Sequence, residues 1–367
     1  MINMDAVFIG GDIYRHSGFG SNHPLAIPRV GLVIELCEAL GWLDGAYVES
    51  RMASVQELCR YHDPEYVAAV KRISESGKAT TKERSQFNIG NRENPVFENM
   101  FLRAATTCGG SILAAKYALE GRVAFNPGGG THHGLRDRAH GFCYFNDPVF
   151  AILTLLDGAA ENVIYLDLDA HHGDGVELAF YDDPRVTTIS IHETGKWPGT
   201  GVEHGPAGSG VYNFPVPSGF NDNELHLLMD SAVLPFIEAK NPDVAVITCG
   251  ADGLAGDPLS GMCLTNVGLW NAVTKVTERI PSAVILGGGG YNPWTVARCW
   301  AGLWGRLSNR TPPWTLPEGI ASRFAEIECD LIDEEDWDSA WYKRIDDEVT
   351  SFPVREEVQA LLGDFQI

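Results

Sequence analysis

Residues 163–177, VIYLDLDAHHGDGVE, open as an apolar, β-prone run and close on Asp167, Asp169, His171, His172 and Asp174. In an extended chain, side chains two positions apart share a face. Asp167, Asp169 and His171 therefore project together where a strand runs out. A helix cap or a tight turn would use one Asp, not three with two histidines. Two carboxylates and an imidazole on one face, followed by Gly173 and Gly175, suit a divalent cation better.

Other short apolar runs have the same form. Residues 123–125 lead into NPGGGTHHG, 186–191 into HETGKWPGTG, 244–249 into GADGLAGD and 283–286 into GGGGYNP. Near-continuous apolar runs are the pattern of strands buried on both faces. Helical patterns at 148–156, 223–239 and 265–278 lie between them. Alternating strands and helices predict one α/β domain, a mainly parallel multi-stranded sheet with helices on both faces. In such sheets ligands bind beyond the carboxyl ends of the strands. Those ends carry His132 and His133, then Asp167–Asp174, then His192, then Asp252 and Asp257, then Tyr291.

Upstream, residues 6–11 read as a first strand and 15–28 as a breaker-rich loop. A helix is expected from Pro28 to about Leu40, stopped by Gly41. Another is expected over 54–76, with Ser54 capped by Glu57. Residues 77–95 read as loop. A long Ala/Leu-rich helix falls within 96–121, its Gly109-Gly110 pair permitting close packing. After Thr311 the composition shifts. PPWTLPEG reads as a connector, and 326–347 is acidic with Trp337, Trp341 and Tyr342 interleaved. The expected organisation is a catalytic domain over 1–310 and a C-terminal extension, 311–367, packed on it.

The 367 residues are 44% hydrophobic, ample for a core. A formal net charge of −22 argues against nucleic-acid binding, which needs a basic footprint. It favours cationic partners such as lysine-rich peptides or polyamines. The eight cysteines are scattered without a CxxC pair, as in a reduced, cytoplasmic protein. No signal peptide is read in MINMDAVFIGGDIY, and no apolar run is long enough to span a bilayer.

A metal site needs a third ligand beyond Asp169 and His171. Asp257, after a strand and among glycines, is the best candidate, whereas Asp252 reads as a turn residue. Three protein ligands with an open position describe a catalytic metal. Nitrogen and oxygen donors without thiolate fit Zn²⁺ and admit Fe²⁺, Co²⁺ or Mn²⁺. Beside a metal, His132 and His133 supply a general base and an electrostatic partner for water. Asp167 and Asp174 are then free to fix their tautomers. Tyr291, after four glycines, supplies a phenol for an oxyanion. GGGGYNP lacks the Lys-Ser/Thr of a phosphate loop.

HPLAIPR, NIGNRENPVF, NPGGGTHHG, GFCYFND, DLDAHHGDGVE, GADGLAGD and GGGGYNP, in this order, resemble the zinc-dependent histone deacetylases and their acetoin-utilisation-type bacterial relatives. The resemblance covers nearly the whole chain. It implies an arginase-like fold and hydrolysis of the acetyl amide of a lysine-like side chain. It implies zinc on Asp169, His171 and Asp257, and the pairs His132–Asp167 and His133–Asp174. His133 would be the base and Tyr291 the stabiliser of the tetrahedral intermediate. Gly141, Phe142, Trp197 and Leu264 would contact substrate, and Arg29 would sit near an acetate-release channel. Structural K⁺ would bind at Asp167, Asp169, His171 and Ser190, and again at Phe180, Val186 and Tyr212. Two departures stand out: Trp197 replaces the family's usual Phe, and Glu93 is the nearest acid to the rim position that grips substrate backbone. An acetylpolyamine deacetylase is the alternative reading. A binuclear manganese ureohydrolase would need bridging carboxylates that have no match near Asp257, and would leave Tyr291 without a role.

Overall fold

The computed structural model describes residues 6–16, 18–20, 23–311, 313, 315–349, 351–363 and 365. Residues 1–5 of the N-terminal reading, and Pro312 and Trp314 of the connector, lie outside the described residues. Eight strands form one parallel sheet: β1 Ala6–Gly10, β2 Tyr47–Glu49, β3 Val123–Asn126, β4 Val163–Asp167, β5 Val186–Glu193, β6 Val211–Val216, β7 Val244–Thr248 and β8 Ala283–Leu286. Their order is β2-β1-β3-β8-β7-β4-β5-β6. The helices are α1 Ile13–His16, α2 Arg29–Ala39, α3 Val55–Leu58, α4 Pro64–Ser76, α5 Thr81–Phe87, α6 Met100–Leu119 and α7 Asp147–Asp157. They continue with α8 Asp174–Phe180, α9 Asp222–Leu228, α10 Leu234–Lys240, α11 Asn266–Thr277, α12 Pro293–Leu307, α13 Glu318–Ala325 and α14 Glu356–Ala360.

Alternation along each strand splits the core into two layers. Phe8, Phe125, Ile164, Leu166, Ala245, Ile247 and Ile285 face a layer that also holds Leu32, Leu36, Trp270 and Trp300. Val7, Ile9, Ala124, Val163, Tyr165, Val246 and Val284 face the other, with Ala114, Ala115, Ile152 and Leu155. Both faces are therefore apolar, which is why the strands read as continuous runs. A third cluster joins Leu58, Tyr66, Ile73, Phe145 and Phe150 beneath the loops after β3. Leu316, Ile320, Phe324, Trp341, Ile345 and Val358 are buried in the same layer as α2 and α12.

Several helix expectations need correction. Residues 54–76 form two helices, not one. The Ser54–Glu57 capping box is present, but Asp63 caps a second start with Pro64 in the first turn. Residues 77–95 are not all loop: Thr80 and Glu83 form a reciprocal capping box for α5, which Asn88 ends at φ 54°. The 15–28 loop contains a 3₁₀ turn, Pro24–Ala26, after the end of α1. The 223–239 pattern is α9 and α10 joined through a π turn, Met229–Val233.

The Gly109-Gly110 pair lies against the 50–53 segment. A Cβ at Gly109 would overlap the carbonyl oxygen of Arg51, which is rigid backbone. Helix propensity alone favours Ala over Gly by about 1 kcal/mol. Overpacking against backbone costs about 1–3 kcal/mol or more and decides the sign. Gly109→Ala is therefore expected to lower unfolding stability, and a urea melt at or above wild-type midpoint would contradict this packing.

Candidate active site

The tandem histidines are presented by a loop that two side chains at the start of α7 hold. The Asp147 carboxylate accepts from the backbone N–H of Gly130 (3.1 Å) and Thr131 (2.7 Å), and from the hydroxyls of Thr131 and Ser111 (2.5 Å each). Asn146 Nδ2 donates to the carbonyls of His132 and Gly134, both at 3.0 Å. GFCYFND thus serves as the clamp for GGGTHHG.

Both histidines meet carboxylates from the β4 end. His132 Nδ1 lies 2.7 Å from Asp167 Oδ2, and His133 Nδ1 lies 2.7 Å from Asp174 Oδ1. A carboxylate only accepts, so each Nδ1 carries the hydrogen and each Nε2 is left for chemistry. The rings are 3.9 Å apart. Asp167 Oδ2 also accepts the Tyr165 hydroxyl (2.7 Å), and Oδ1 accepts the Asp169 N–H (3.1 Å). Burial alone would lower His132, but Asp167 and Asp169 outweigh it and push it up to about 9. Burial and the charge of His132 push His133 down to about 3. The two shifts run in opposite directions, favouring the charged form at His132 and the neutral form at His133.

Asp169, His171 and Asp252 form the group of buried donors that could hold a metal ion, with one ligand atom from each within 4.8 Å of the others. His171 Nδ1 faces Asp252 Oδ2 at 2.9 Å and Asp169 Oδ1 at 3.3 Å. The expectation that Asp252 serves only a turn is corrected: Oδ1 accepts the Ala170 N–H (3.0 Å), while Oδ2 enters the donor group. Asp257 adjoins this group but is not part of it. Its carboxylate accepts from Tyr291 N (2.7 Å) and Leu259 N (2.9 Å). Burial and then the neighbouring Asp169 raise Asp252, and burial and then Asp252 raise Asp257. Crowded buried carboxylates of this kind are what a divalent cation relieves, and the O, O, N donor set fits one. The backbone makes room for the Asp169 carboxylate: Gly288 has φ 143°, and a Cβ there would stand 2.7 Å from Asp169 Oδ2.

Two cavities meet at this group. The outer one, about 350 Å³, is lined by Glu93, His133, Gly141, Phe142, His171, Lys196, Trp197, Leu259 and Tyr291. The inner one, about 70 Å³, reaches Arg29, Arg103, Cys143 and Tyr144. Tyr291 and Phe142 border both, their rings 6.1 Å apart. Arg29 Nη1 donates to the carbonyls of Gly288 (2.8 Å) and Gly290 (3.2 Å), tying the inner cavity to the glycine run. Glu93 lies at the mouth, where Oε1 accepts the Gly141 N–H (2.6 Å). Leu264 lines neither cavity; it is buried in the core, and Leu259 occupies the mouth instead.

Among the expected K⁺ residues, Asp167 and Ser190 are register partners across β4 and β5, close to Asp169 and His171. Phe180 and Val186 share one core layer, whereas the Tyr212 ring packs on Phe236, toward the other. The sequence reading set Asp252 aside as a turn residue and did not single out Tyr165, His140 or Leu259. Tyr165 had a signal, since it lies two residues before Asp167 on the same strand face.

The histone deacetylase domain family matches residues 23–307. The chain is 35% identical over 332 residues to the acetoin utilization protein AcuC of Bacillus subtilis (strain 168), covering 85% of this chain and 84% of that protein. It is 34% identical over 299 residues to histone deacetylase 8 of Xenopus tropicalis, covering 79% and 80%. A crystal structure of an HDAC homolog from Aquifex aeolicus superposes with TM-score 0.93 at 34% identity, covering 98% of this chain and 99% of that one. An HDAC homolog complexed with SAHA gives 0.92 at 35%, with the same coverage.

Metal content tests the donor group. Asp169→Ala is expected to purify without a bound divalent metal. Asp257→Asn and Asp252→Asn are each expected to bind the metal at least about 10-fold more weakly, and the larger loss marks the third ligand. Elemental analysis and metal titration of the three variants read this directly, and full metal in Asp169→Ala would refute the site.

Proposed function

The chain belongs to the histone deacetylase family, and from that premise we propose that it is a zinc-dependent lysine deacetylase. In this reading it removes acetyl or similar short acyl groups from the ε-amine of lysine in proteins or peptides. The supporting observation is the convergence of two His–Asp pairs, a buried Asp/His donor group and the Tyr291 phenol on one cavity.

Asp169, His171 and Asp257 would hold the zinc, with Asp252 completing the carboxylate cluster; Fe²⁺ or Co²⁺ would suit the same donors. When bound, such a cation supplies Lewis acidity toward an amide carbonyl and lowers the pKa of water. The remaining steps belong to the chain. Neutral His133, oriented by Asp174, takes a proton from water at Nε2 and returns one to the departing amine. His132, kept charged by Asp167, provides positive charge beside the reacting centre. The Tyr291 hydroxyl donates to the oxyanion of the tetrahedral intermediate. Structural K⁺ at Asp167, Asp169, His171 and Ser190, and at Phe180, Val186 and Tyr212, belongs to the same proposal. So does release of acetate past Arg29.

The mouth favours a lysine side chain over a polyamine. Its walls, Gly141, Phe142, Trp197 and Leu259, suit a run of methylenes. Glu93 is the one acid among the described residues that line it, and its carboxylate already accepts from Gly141 and from Asn88 Nδ2 (3.3 Å). Lys196 lies beside it. A second ammonium would find little to bind. The net charge of −22 suits a polyamine and a lysine-rich peptide alike and does not separate the two readings.

Residues 1–310 would form the catalytic domain and 311–367 an extension on it, a division supported by the family match ending at 307. A cytoplasmic setting is supported by eight free cysteines. No helix among the described residues is long and apolar enough to cross a membrane.

Two measurements test the proposal. A panel of acyl-lysine peptides and acetylputrescine on metal-replete enzyme should show preferred turnover of acetyl-lysine peptide, abolished by chelator; preference for acetylputrescine would install the alternative. Tyr291→Phe should keep fold and metal while kcat falls about 10²–10³-fold, the usual cost of one oxyanion donor. Full turnover in that variant would remove Tyr291 from the mechanism.

A further inference from the structure

The inner cavity carries more positive charge than an acetyl group can use. Arg29 opens α2 and Arg103 lies in the first turn of α6, and both guanidiniums line this chamber. Arg29 lies over the Trp300 ring at 5.4 Å, and Arg103 over Tyr14 at 5.2 Å and Phe19 at 6.0 Å. Stacking on rings holds a guanidinium plane and leaves its N–H edge to face a planar acceptor. Among the described residues, only Nη1 of Arg29 is spent on protein acceptors, the carbonyls of Gly288 and Gly290. Asp169 is the one acid among the described residues that line the chamber. The methyl of an acetyl group offers a guanidinium nothing to bind.

We propose that the inner cavity is a carboxylate subsite, and that the substrates include lysines whose acyl group itself ends in a carboxylate, of the malonyl or succinyl class. The inference rests on the deacylase reading above.

The position of the chamber fits such a tail. His171 borders the outer cavity and Asp169 the inner one, so the donor group stands where the two meet. A lysine stem in the outer cavity brings its amide carbonyl to that junction and sends its acyl tail inward. The inner volume of about 70 Å³ corresponds to about five water positions, room for a short tail and its carboxylate.

The charges fit as well. Burial lowers Arg103 to about 10; Tyr14 opposes this, and the charge of Arg29 adds to it. The two cations therefore act on each other, and both stay charged near neutral pH. Burial also lowers Arg29, while Tyr291, Asp252, Asp169 and Asp257 pull it back up. Those three acids adjoin or form the donor group, whose charge a divalent cation would take up. An anion placed between two guanidiniums relieves their repulsion, and a carboxylate matches an arginine fork with two charge-assisted hydrogen bonds. Hydrolysis is the same reaction as for acetyl. The amide C–N bond breaks, the water oxygen joins the acyl carbon, one water proton goes to the ε-amine, and a dicarboxylate leaves.

The experiment measures kcat/KM for metal-loaded wild type, Arg103→Met and Arg103→Lys on peptides carrying acetyl-, succinyl- or succinamoyl-lysine. Succinamoyl is the neutral amide of the same shape. Wild type should favour succinyl over succinamoyl by about 10- to 100-fold, the effect of a charge-assisted pair in a buried site. Arg103→Met keeps the stem, loses the charge and should cut that ratio about tenfold, and Arg103→Lys should recover part of it. A wild-type ratio close to unity, or an unchanged ratio in Arg103→Met, overturns the proposal, while acetyl-lysine turnover still upholds the deacetylase reading. If Arg103→Met fails to fold, the wild-type ratio alone decides. Free succinate is a separate arm. Inhibition by it that Arg103→Met removes, without succinyl-lysine turnover, assigns the chamber to a free anion and also overturns the proposal. No turnover of any peptide by metal-loaded enzyme overturns the deacylase reading and this inference together.

Discussion

Five aspartates, Asp167, Asp169, Asp174, Asp252 and Asp257, are buried within one sheet edge, none more than 6% exposed. Isolated, each such charge would cost several kcal/mol of desolvation. The surrounding structure is arranged to offset that cost. Backbone N–H groups of Asp169, Ala170, His171, Gly175, Leu259, Gly289 and Tyr291 all point at these carboxylates. Three imidazoles take further lone pairs. Burial and the neighbouring acids raise Asp252 and Asp257 all the same, and a divalent cation at this cluster would relieve that crowding.

A parallel sheet can deliver this only because its strands end together. β3, β8, β7, β4 and β5 are consecutive neighbours in the sheet, so their carboxyl-terminal loops converge without long excursions. The loops must then approach one another more closely than side chains allow. Gly250 and Gly288 sit against Asp169, and neither position has room for a Cβ. Glycine content at these strand ends is therefore a packing requirement of the acid cluster, not a sign of mobility.

What could be read from the sequence follows from this arrangement. β3, β4, β5, β7 and β8 are buried on both faces, so each announces itself as an apolar run followed by glycine and chemistry-bearing residues. β2 has three residues at one edge, and β6 carries Pro215 at the other, where a missing N–H is tolerated. Neither shows a run long enough to stand out. α12 was not read although Thr295, Arg298 and Arg306 recur at helical spacing along it; all but one of its residues are buried all the same. α5 was missed although Thr80 and Glu83 spell its capping box, because polar turn formers on both sides masked it. At the site, tandem histidines and the DxDxH run carried their own signal. Asp252 did not, because its entry into the donor group depends on how β7 and β4 lie side by side. His140 is one histidine in a loop until Asp174 is folded against it.

His132 and His133 show why residue type alone does not assign a role. They are adjacent, equally buried and each bound to one aspartate at 2.7 Å. The difference lies one layer further out. Asp167 and Asp169 both act on His132, whose Nε2 is 3.8 Å from Asp169, so the cationic form is favoured. His133 sees that cation at a ring distance of 3.9 Å and shares Asp174 with a second histidine. Two like charges at that distance inside a dry site repel strongly, so protonating one ring excludes the proton from the other. The carboxylates behind the two rings thus favour the charged form at His132 and the neutral form at His133.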